Sequence, residues 1–372
     1  MSTTDQLIKK QEERLLSVDF FRGLTMFLLI GESTRIYRHL RGFQDAGILH
    51  SISLQFHHHA WNGLTFWDLI QPFFMTIVGV AIPFAILARK KKGHSDRSIM
   101  LHTVKRSFVL LFLGWWLHCT GAGQIVWRFQ NVLAQLSVTY LVASLIVNKS
   151  FRFQLIFSLI ILLLYDLAYR FFPVEGFNEP WVQQRNLGAW FNQLLEGTER
   201  TSIWATFNIV STTAHTIWGA LVGKLFLSQK TSTDKLKIIC GAGIICLIIG
   251  FGLDWLHITP IIKKVATLSF VFASGGWTLF GLAFSYWLID VKKVFVKGSL
   301  FFRIVGMNCI AIYLFFSIGG ASILTRVATP LSTLLFSWAG PFTMNVFTSL
   351  LAWFAMWGMC YWLYKNKIFI KI

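Results

Sequence analysis

Three consecutive histidines, His57 to His59, stand directly before a polar helix start and a long apolar run, in the stretch FHHHAWNGLTFWDLIQPFF (56–74). Imidazole titrates near neutral pH, which suits it to acid/base catalysis. Two other interpretations stay open: polar residues at the rim of an apolar region, or metal ligands. Metal binding is the weakest of the three, because adjacent side chains diverge and no carboxylate or cysteine lies at ligand spacing nearby.

A helix is predicted to begin just after the histidines. Thr65-Phe66-Trp67-Asp68 matches the pattern in which Thr caps a helix and an acid three residues later binds back to its backbone N–H. Asp68 therefore either caps the helix or takes part in chemistry, and both interpretations stay open. Pro72 and Pro83 follow in the same run and predict a kink.

Other polar residues stand in apolar surroundings. Ser17 is predicted to cap the first long helix, and Asp19 and Arg22, three residues apart, are expected to form an ion pair. Ionisable groups are costly in hydrocarbon, so those inside apolar runs are expected to face a polar cavity or a partner. The polar residues within or at the ends of apolar runs are Glu32, His118, Asp166, His215, Asp254 and Asn308. Asp166 and Asp254 stand near external ends, where extending to the membrane surface is the alternative.

The elements that position these residues are predicted to be transmembrane helices. With 55% hydrophobic and 13% charged residues, a chain of 372 residues is too apolar for a soluble core. Apolar runs of about 20 residues, the length that crosses a bilayer as a helix, recur along it. We predict an all-α, polytopic helical bundle of about ten spans, at 20–38, 64–87, 107–119, 129–147, 153–172, 203–223, 238–256, 267–290, 299–318 and 344–363.

The net charge of +18 is distributed as expected for a membrane protein, which argues against a nucleic-acid partner. Alternate connections between the predicted spans, including both termini, carry 22 Lys and Arg, and the other set carries 10. Positively charged short loops stay in the cytoplasm, so both termini are predicted to be cytoplasmic and the histidines external.

The chain is predicted to comprise a cytoplasmic segment (1–19) and a single transmembrane domain (20–372), with no cleaved signal peptide. The external loop 172–202 is expected to form an ordered cap over an external cavity, and a passive loop is the alternative. The stretch 322–342 is predicted to be re-entrant or interfacial, because one arginine and two prolines interrupt it. Five cysteines without metal or CxxC spacing are expected to be packing residues.

Several motifs, in order, resemble one known family. They are RLLSVDFFRGLT (14–25), HHAWNGLTFWDLIQPFFMTIVGVAIPF (58–84), NVLAQLSVTYLVAS (131–144), STTAHTIWGALVGKL (211–225), FSYWLIDV (284–291) and GMNCIAIYL (306–314). Together they resemble the heparan-alpha-glucosaminide N-acetyltransferase family, including bacterial relatives, over nearly the whole chain. The most specific element is the histidine three residues before Trp-Asn-Gly-Leu-Thr.

The resemblance implies a multi-span transferase that takes acetyl from cytosolic acetyl-CoA and delivers it to a glucosamine amine across the membrane. The family's active histidine corresponds to His58, with Asp68 and Glu32 as further candidate catalytic residues. The family's first-span Asn falls near Ser33, and its Gln-Arg pair is Ala134-Gln135 here, so the acceptor is not carried over. The relatives imply a bacterial inner membrane, and a homodimer is a possible assembly.

Binding roles are expected for two further groups of residues. The candidate acceptor-binding residues are Trp61, Asn62, Ser33, His215 and Asn308. The polyanionic nucleotide of acetyl-CoA is expected to meet a basic cytoplasmic rim of Arg22, Lys105, Arg106, Lys292 and Lys293, although positive charge is also expected there from topology alone.

Two other functions stay open at this point. Ten spans with kinked helices and buried ionisable groups would also serve a proton-coupled sugar transporter, although no inverted repeat is visible. A non-catalytic acyl-CoA or glycan binder is the other alternative.

Overall fold

The computed structural model describes residues 15–41, 47–198 and 202–370, and these residues form fifteen α-helices and no β-strand. The helices are α1 (Leu16–Ser33), α2 (Ile36–Leu40), α3 (Ile48–Gln55), α4 (Ile70–Lys91), α5 (Asp96–Ala122), α6 (Val132–Ile146), α7 (Phe151–Arg170), α8 (Leu187–Glu196), α9 (Ile209–Leu227), α10 (Ser232–Trp255), α11 (Leu268–Tyr286), α12 (Val296–Met307), α13 (Cys309–Ser317), α14 (Gly320–Phe336) and α15 (Gly340–Lys365). The protein is an all-α polytopic bundle, as predicted.

In the part of the chain that the structure describes, five helical segments are long and apolar enough to cross a membrane, or six if the bent pair α12 and α13 counts as one span. The five are Phe66–Lys91, Phe151–Arg170, Ser232–Trp255, Leu268–Val291 and Gly320–Lys365. Each of the ten predicted spans overlaps a helix, but length and composition support five or six crossings. The protein is therefore an integral membrane protein, and the count of ten stays a prediction.

The chain divides into two compact units: a terminal unit (1–42 and 280–371) and a central unit (43–279). In the central unit, α4 and α9 pack closely through glycines. A Cβ added at Gly219 would lie 2.1 Å from the carbonyl oxygen of Thr76, and one at Gly79 would lie 2.1 Å from that of Thr216. Small residues let helix backbones approach in this way, and the contact holds the helix that follows the histidine loop.

In the terminal unit, α1 and α12 pack in the same manner, with Gly23 against the backbone of Phe302. The predicted ion pair is confirmed, since Arg22 Nη2 lies 2.8 Å from Asp19 Oδ1. The predicted cap at Ser17 is wrong. The carboxylate of Asp290 instead accepts the backbone N–H groups of Leu16 and Ser17, at 3.1 Å each.

The stretch predicted to be re-entrant or interfacial forms most of a helix. Residues 320–336 make up α14, which is about 25 Å long at 1.5 Å per residue. A turn at Ser337–Ala339 joins it to α15, and the Phe336 and Phe347 rings pack with centroids 4.2 Å apart. How deeply α14 enters a membrane stays a prediction.

Candidate active site

The histidines lie in a loop of the central unit that ends in a capped helix start. Thr65 precedes a 3-10 turn, Phe66–Leu69, which continues into α4. The backbone N–H of Thr65 donates to Asp68 Oδ2 at 3.0 Å, so the predicted capping box is confirmed. Pro72 falls in the first turn of α4, where its missing N–H is not needed.

Asp68 joins this helix start to His58. Its side chain is fully buried, and its Oδ1 lies 2.9 Å from Nδ1 of His58. Its Oδ2 also lies 2.9 Å from the Thr65 hydroxyl. One carboxylate oxygen is therefore fixed by the helix start, and the other faces the imidazole, whose side chain is 33% exposed.

The contact with Asp68 favours one tautomer of His58. An ionised carboxylate only accepts hydrogen bonds, so the 2.9 Å contact favours a neutral ring with its hydrogen on Nδ1, whereas the ammonium of Lys263, 3.1 Å from the same nitrogen, only donates and opposes this tautomer. With the hydrogen on Nδ1, Nε2 bears the lone pair, and it has no hydrogen-bond partner among the residues that the structure describes. A ring held in this tautomer can take up a proton at Nε2, as a general base does.

A buried lysine from a distant segment lies beside this pair. Lys263 is 6% exposed, and its Nζ lies 3.1 Å from Nδ1 of His58 and 3.7 Å from Oδ1 of Asp68. Burial lowers the pKa of His58 below its usual value, and the positive charge of Lys263 lowers it further, whereas Asp68 opposes both effects. The neutral, proton-accepting form of His58 is thus favoured near neutral pH.

The histidine loop is attached to two other segments of the central unit. The N–H of Gly63 donates to the carbonyl of Ile261 at 2.8 Å, and the indole N–H of Trp61 donates to the carbonyl of Trp181 at 2.8 Å. Gly63 has a φ of 143°, and a Cβ there would lie 2.6 Å from the ring of His59. Only glycine fits this backbone without strain.

The neighbouring histidines have other contacts. Nδ1 of His57 lies 2.9 Å from the carbonyl of Ser53, within the last turn of α3. His59 contacts Asp68 Oδ2 through its backbone N–H at 3.3 Å, while its ring packs on Gly63. Of the three imidazoles, the ring of His58 is therefore the one that pairs with Asp68.

The loop 172–202 was expected to form an ordered cap, and it contains α8. Trp181 in this segment accepts the hydrogen bond from Trp61, and Arg128 pairs with Glu196 at 2.7 Å. Just after it, the ring of Trp204 meets that of His58 edge to face, with centroids 5.1 Å apart.

Other predicted site residues of the central unit lie elsewhere. His215 in α9 is fully buried, and its Nε2 lies 3.0 Å from the carbonyl of Val271. Asn62 is exposed in the histidine loop. In α5, Lys105 is exposed, and the Arg106 guanidinium lies 4.8 Å from the centroid of the Tyr140 ring. Within the described ranges, no group of three or more His, Cys, Asp or Glu is placed to hold a metal.

The remaining predicted residues belong to the terminal unit. Glu32 is exposed near the end of α1, and the Ser33 hydroxyl donates to the carbonyl of Ile30 at 2.6 Å. Asn308 is fully buried at the bend between α12 and α13, where its amide binds the backbone of Ile368 and Ile370 at 3.0 and 2.9 Å. Exposed Lys292 and Lys293 follow the π-helical turn Trp287–Val291. The roles predicted for these residues stay predictions.

Three residues at the site were missed by sequence reasoning: Lys263, Lys264 and Trp204. Nζ of Lys264 donates to the carbonyl of Ala60 and lies 5.8 Å from the Trp61 ring centroid. Burial lowers the pKa of Lys264. One signal was available, because two adjacent lysines stood in a segment predicted to be external, against the usual distribution of positive charge.

One comparison with known proteins covers the part of the chain that carries His58 and Asp68. A family model described as a domain of unknown function (DUF5009) matches residues 14–154. Heparan-alpha-glucosaminide N-acetyltransferase of Mus musculus is 30% identical over 145 residues, which is 37% of this chain and 20% of that protein. The Homo sapiens protein of the same name is 31% identical over 140 residues, 36% of this chain and 19% of that protein. The matches thus span about a fifth of the length of these curated relatives. This similarity supports a relationship of the chain to heparan-alpha-glucosaminide N-acetyltransferases over 36 to 37% of its length.

Proposed function

We propose that the protein is an integral-membrane acetyltransferase that moves acetyl from cytosolic acetyl-CoA to an amino sugar or related glycan on the external side. The observation that carries the proposal is the 2.9 Å contact between Nδ1 of His58 and the buried carboxylate of Asp68, which leaves Nε2 as the available base. The names of the mouse and human relatives support acetyl transfer as the reaction.

In the direct route, His58 acts as a general base. The acceptor nitrogen, or a hydroxyl oxygen, attacks the thioester carbonyl carbon, while Nε2 of His58 takes the proton that the acceptor loses. The new bond to the acceptor forms, the carbon–sulfur bond breaks, and CoA leaves as a thiolate that recovers the proton. Asp68 stabilises the positive ring that forms in between, because its Oδ1 faces Nδ1.

In the second route, His58 carries the acetyl group itself. Neutral Nε2 attacks the thioester carbon and CoA leaves as a thiolate. The acceptor then attacks the acetyl carbon, the bond to Nε2 breaks, and the proton that the acceptor loses balances the one taken up by the CoA thiolate. The two routes differ in one observable. Labelled acetyl-CoA without acceptor should leave label on His58 only in the second, and peptide mass spectrometry of the quenched protein would detect it.

Residues beside His58 supply features that suit a sugar. The partly exposed Trp61 offers an indole face and the exposed Asn62 an amide. Aromatic rings and amides are common in sites that fix the orientation of a polar ligand. We assign them to the acceptor. The polyanionic nucleotide of acetyl-CoA would be attracted by Lys105 and Arg106 in the central unit and, separately, by Arg22, Lys292 and Lys293 in the terminal unit. The proposal places the termini in the cytoplasm of a bacterium, with the protein in its inner membrane.

The experiment measures release of free CoA by the purified protein on addition of amino sugars. We expect His58→Ala to lower turnover by roughly 10² to 10⁴, the usual contribution of a general base. His57→Ala and His59→Ala, made at matched expression and acetyl-CoA affinity, should change it far less. Near-normal turnover of His58→Ala would refute the assignment of His58 as the catalytic residue. Sugar counterflow in liposomes without CoA would favour a transporter instead.

A further inference from the structure

The proposed reaction gives no role to Lys263, which lies 205 residues from His58 in sequence and within hydrogen-bond distance of its ring. We propose that Lys263 is a positioning residue that balances the charge of Asp68 and so keeps His58 neutral, with its Nε2 lone pair available. The inference rests on the proposed function for its consequence in turnover, but its physical content concerns the protonation of His58 alone.

The position of Lys263 is fixed by a hydrogen-bonded turn. The N–H of Ala266 donates to the carbonyl of Lys263 at 2.9 Å, and Ala266 has a φ of 56°. The hydroxyl of Thr267 donates to the carbonyl of Pro260 at 2.7 Å and accepts from the N–H of Ile262 at 3.0 Å. This closed turn fixes the backbone of Lys263, and its ammonium reaches His58 and Asp68, with a further contact to the Trp67 carbonyl at 3.4 Å.

The charges explain why an ammonium is needed at this place. A buried carboxylate beside an imidazole favours the imidazolium, and a ring that already carries both protons cannot act as a base. Lys263 offsets Asp68 from 3.7 Å and disfavours a second positive charge at the ring. Asp68, 2.9 Å from Nδ1, is the nearer partner of this nitrogen and the acceptor for a hydrogen on it, while the ammonium of Lys263, 3.1 Å from Nδ1, disfavours the imidazolium.

Among the described residues, three charged groups act on the ring of His58. They are Asp68 from the start of α4, and Lys263 and Lys264 from the turn before α11. The uncharged ring of Trp204 also contacts it, edge to face. Lys263 also lies over that ring, at 5.6 Å from its centroid.

Lys264 provides a matched control, because it is the next residue and carries the same charge. It is nearly as buried, at 8% exposed against 6% for Lys263. Its Nζ is bound to the Ala60 carbonyl and lies near the rings of Trp61 and Trp204. If only the total positive charge of the site mattered, neutralising either lysine would change His58 to the same extent. The proposed role requires that neutralising Lys263 have the larger effect.

The test follows the protonation of His58 without requiring turnover. Diethyl pyrocarbonate modifies neutral imidazole, so the rate of His58 modification, measured by peptide mass spectrometry across pH, reports the midpoint of its titration. We expect Lys263→Met to move the midpoint to higher pH, Lys263→Arg to stay close to wild type, and Lys264→Met to move it much less. An unchanged or lower midpoint in Lys263→Met, or an equal shift in Lys264→Met, would overturn the proposal.

Turnover then separates this inference from the proposed function. Activity requires neutral His58, so it falls as pH drops through the folded-state pKa of His58, and in Lys263→Met this fall should begin at higher pH. The midpoint of His58 modification can shift in Lys263→Met even if neither the wild type nor any variant transfers acetyl. In that case the proposed function fails and the role of Lys263 stands. Should Lys263→Met fail to fold, as judged by size-exclusion chromatography, Lys263→Gln replaces it with a neutral side chain that retains hydrogen-bonding capacity.

Discussion

Replacing Asp68 by asparagine tests the arrangement around His58 most directly. The amide is almost the same size as the carboxylate. Its oxygen can still accept a hydrogen bond from the N–H of Thr65, which in the wild-type protein lies 3.0 Å from Oδ2 of Asp68. Its NH₂ group would then face Nδ1 of His58 as a donor. The imidazole would turn to the tautomer with its hydrogen on Nε2, which is unable to accept the proton of an acceptor amine.

The expected loss of activity follows from this change of tautomer. Since the general base would be lost while binding contacts remain, turnover should fall by roughly 10² to 10⁴, equivalent to about 3 to 5 kcal/mol in the activation free energy. Stability should fall as well. Lys263 would lose a carboxylate 3.7 Å away, an attraction of about 4 kcal/mol at an effective dielectric constant of about 20. Removing one partner of a buried ion pair typically costs about 3 to 5 kcal/mol.

The assay measures acetyl transfer and thermal unfolding on the same purified samples. Asp96→Asn is the matched control, because Asp96 is 77% exposed and pairs with Lys90 at 3.0 Å on the surface. Its turnover and melting temperature should stay near wild type, since exposed ion pairs contribute little. Turnover of Asp68→Asn within a few-fold of wild type, with the protein folded, would refute the assignment of the His58 tautomer to Asp68.

Three further predictions concern topology, ligand binding and packing. In a protein free of its own cysteines, an impermeant thiol reagent should label Gln183→Cys but not Lys91→Cys in intact cells, and the reverse pattern would invert the proposed orientation. Acetyl-CoA binding should weaken as salt rises, because exposed charges are screened over about 8 Å at physiological ionic strength, and salt-independent binding would count against the basic rim. Gly219→Ala should lower the free energy of unfolding by about 1 to 3 kcal/mol, because the added methyl group clashes with the Thr76 carbonyl. Gly241→Ala is the control and should not lower it, because the space around Gly241 is open. Equal melting temperatures of the two variants would contradict the close α4–α9 contact.

The sequence predicted the features of this protein that depend on nearby residues. The helices follow from apolar runs, and the start of α4 follows from Thr65 and Asp68, which are only three residues apart. The selection of His58 among three histidines came from the resemblance and is supported by its contact with Asp68, ten residues away. These contacts lie within a single loop and helix start, so the local sequence pattern is sufficient to predict them.

Contacts between distant segments were beyond sequence reasoning. The first helix was expected to be capped by Ser17, but the carboxylate that meets its N-terminus is Asp290, more than 270 residues later. Lys263 and Trp204 likewise reach His58 from other parts of the chain. A capping pattern describes only the neighbours of a helix end, and no periodicity indicates which distant side chain will meet it.

The charges around His58 exceed what the helix start requires. A capping box needs only the carboxylate of Asp68 and the backbone of Thr65. Lys263 also contacts the Trp67 carbonyl of this turn at 3.4 Å, but a buried ion pair is often no more stabilising than apolar residues of similar volume. Fold stability alone is therefore a weak reason for Lys263 at this place. Control of the proton on His58 gives a stronger one, because Lys263 lowers the pKa of His58 and Asp68 raises it.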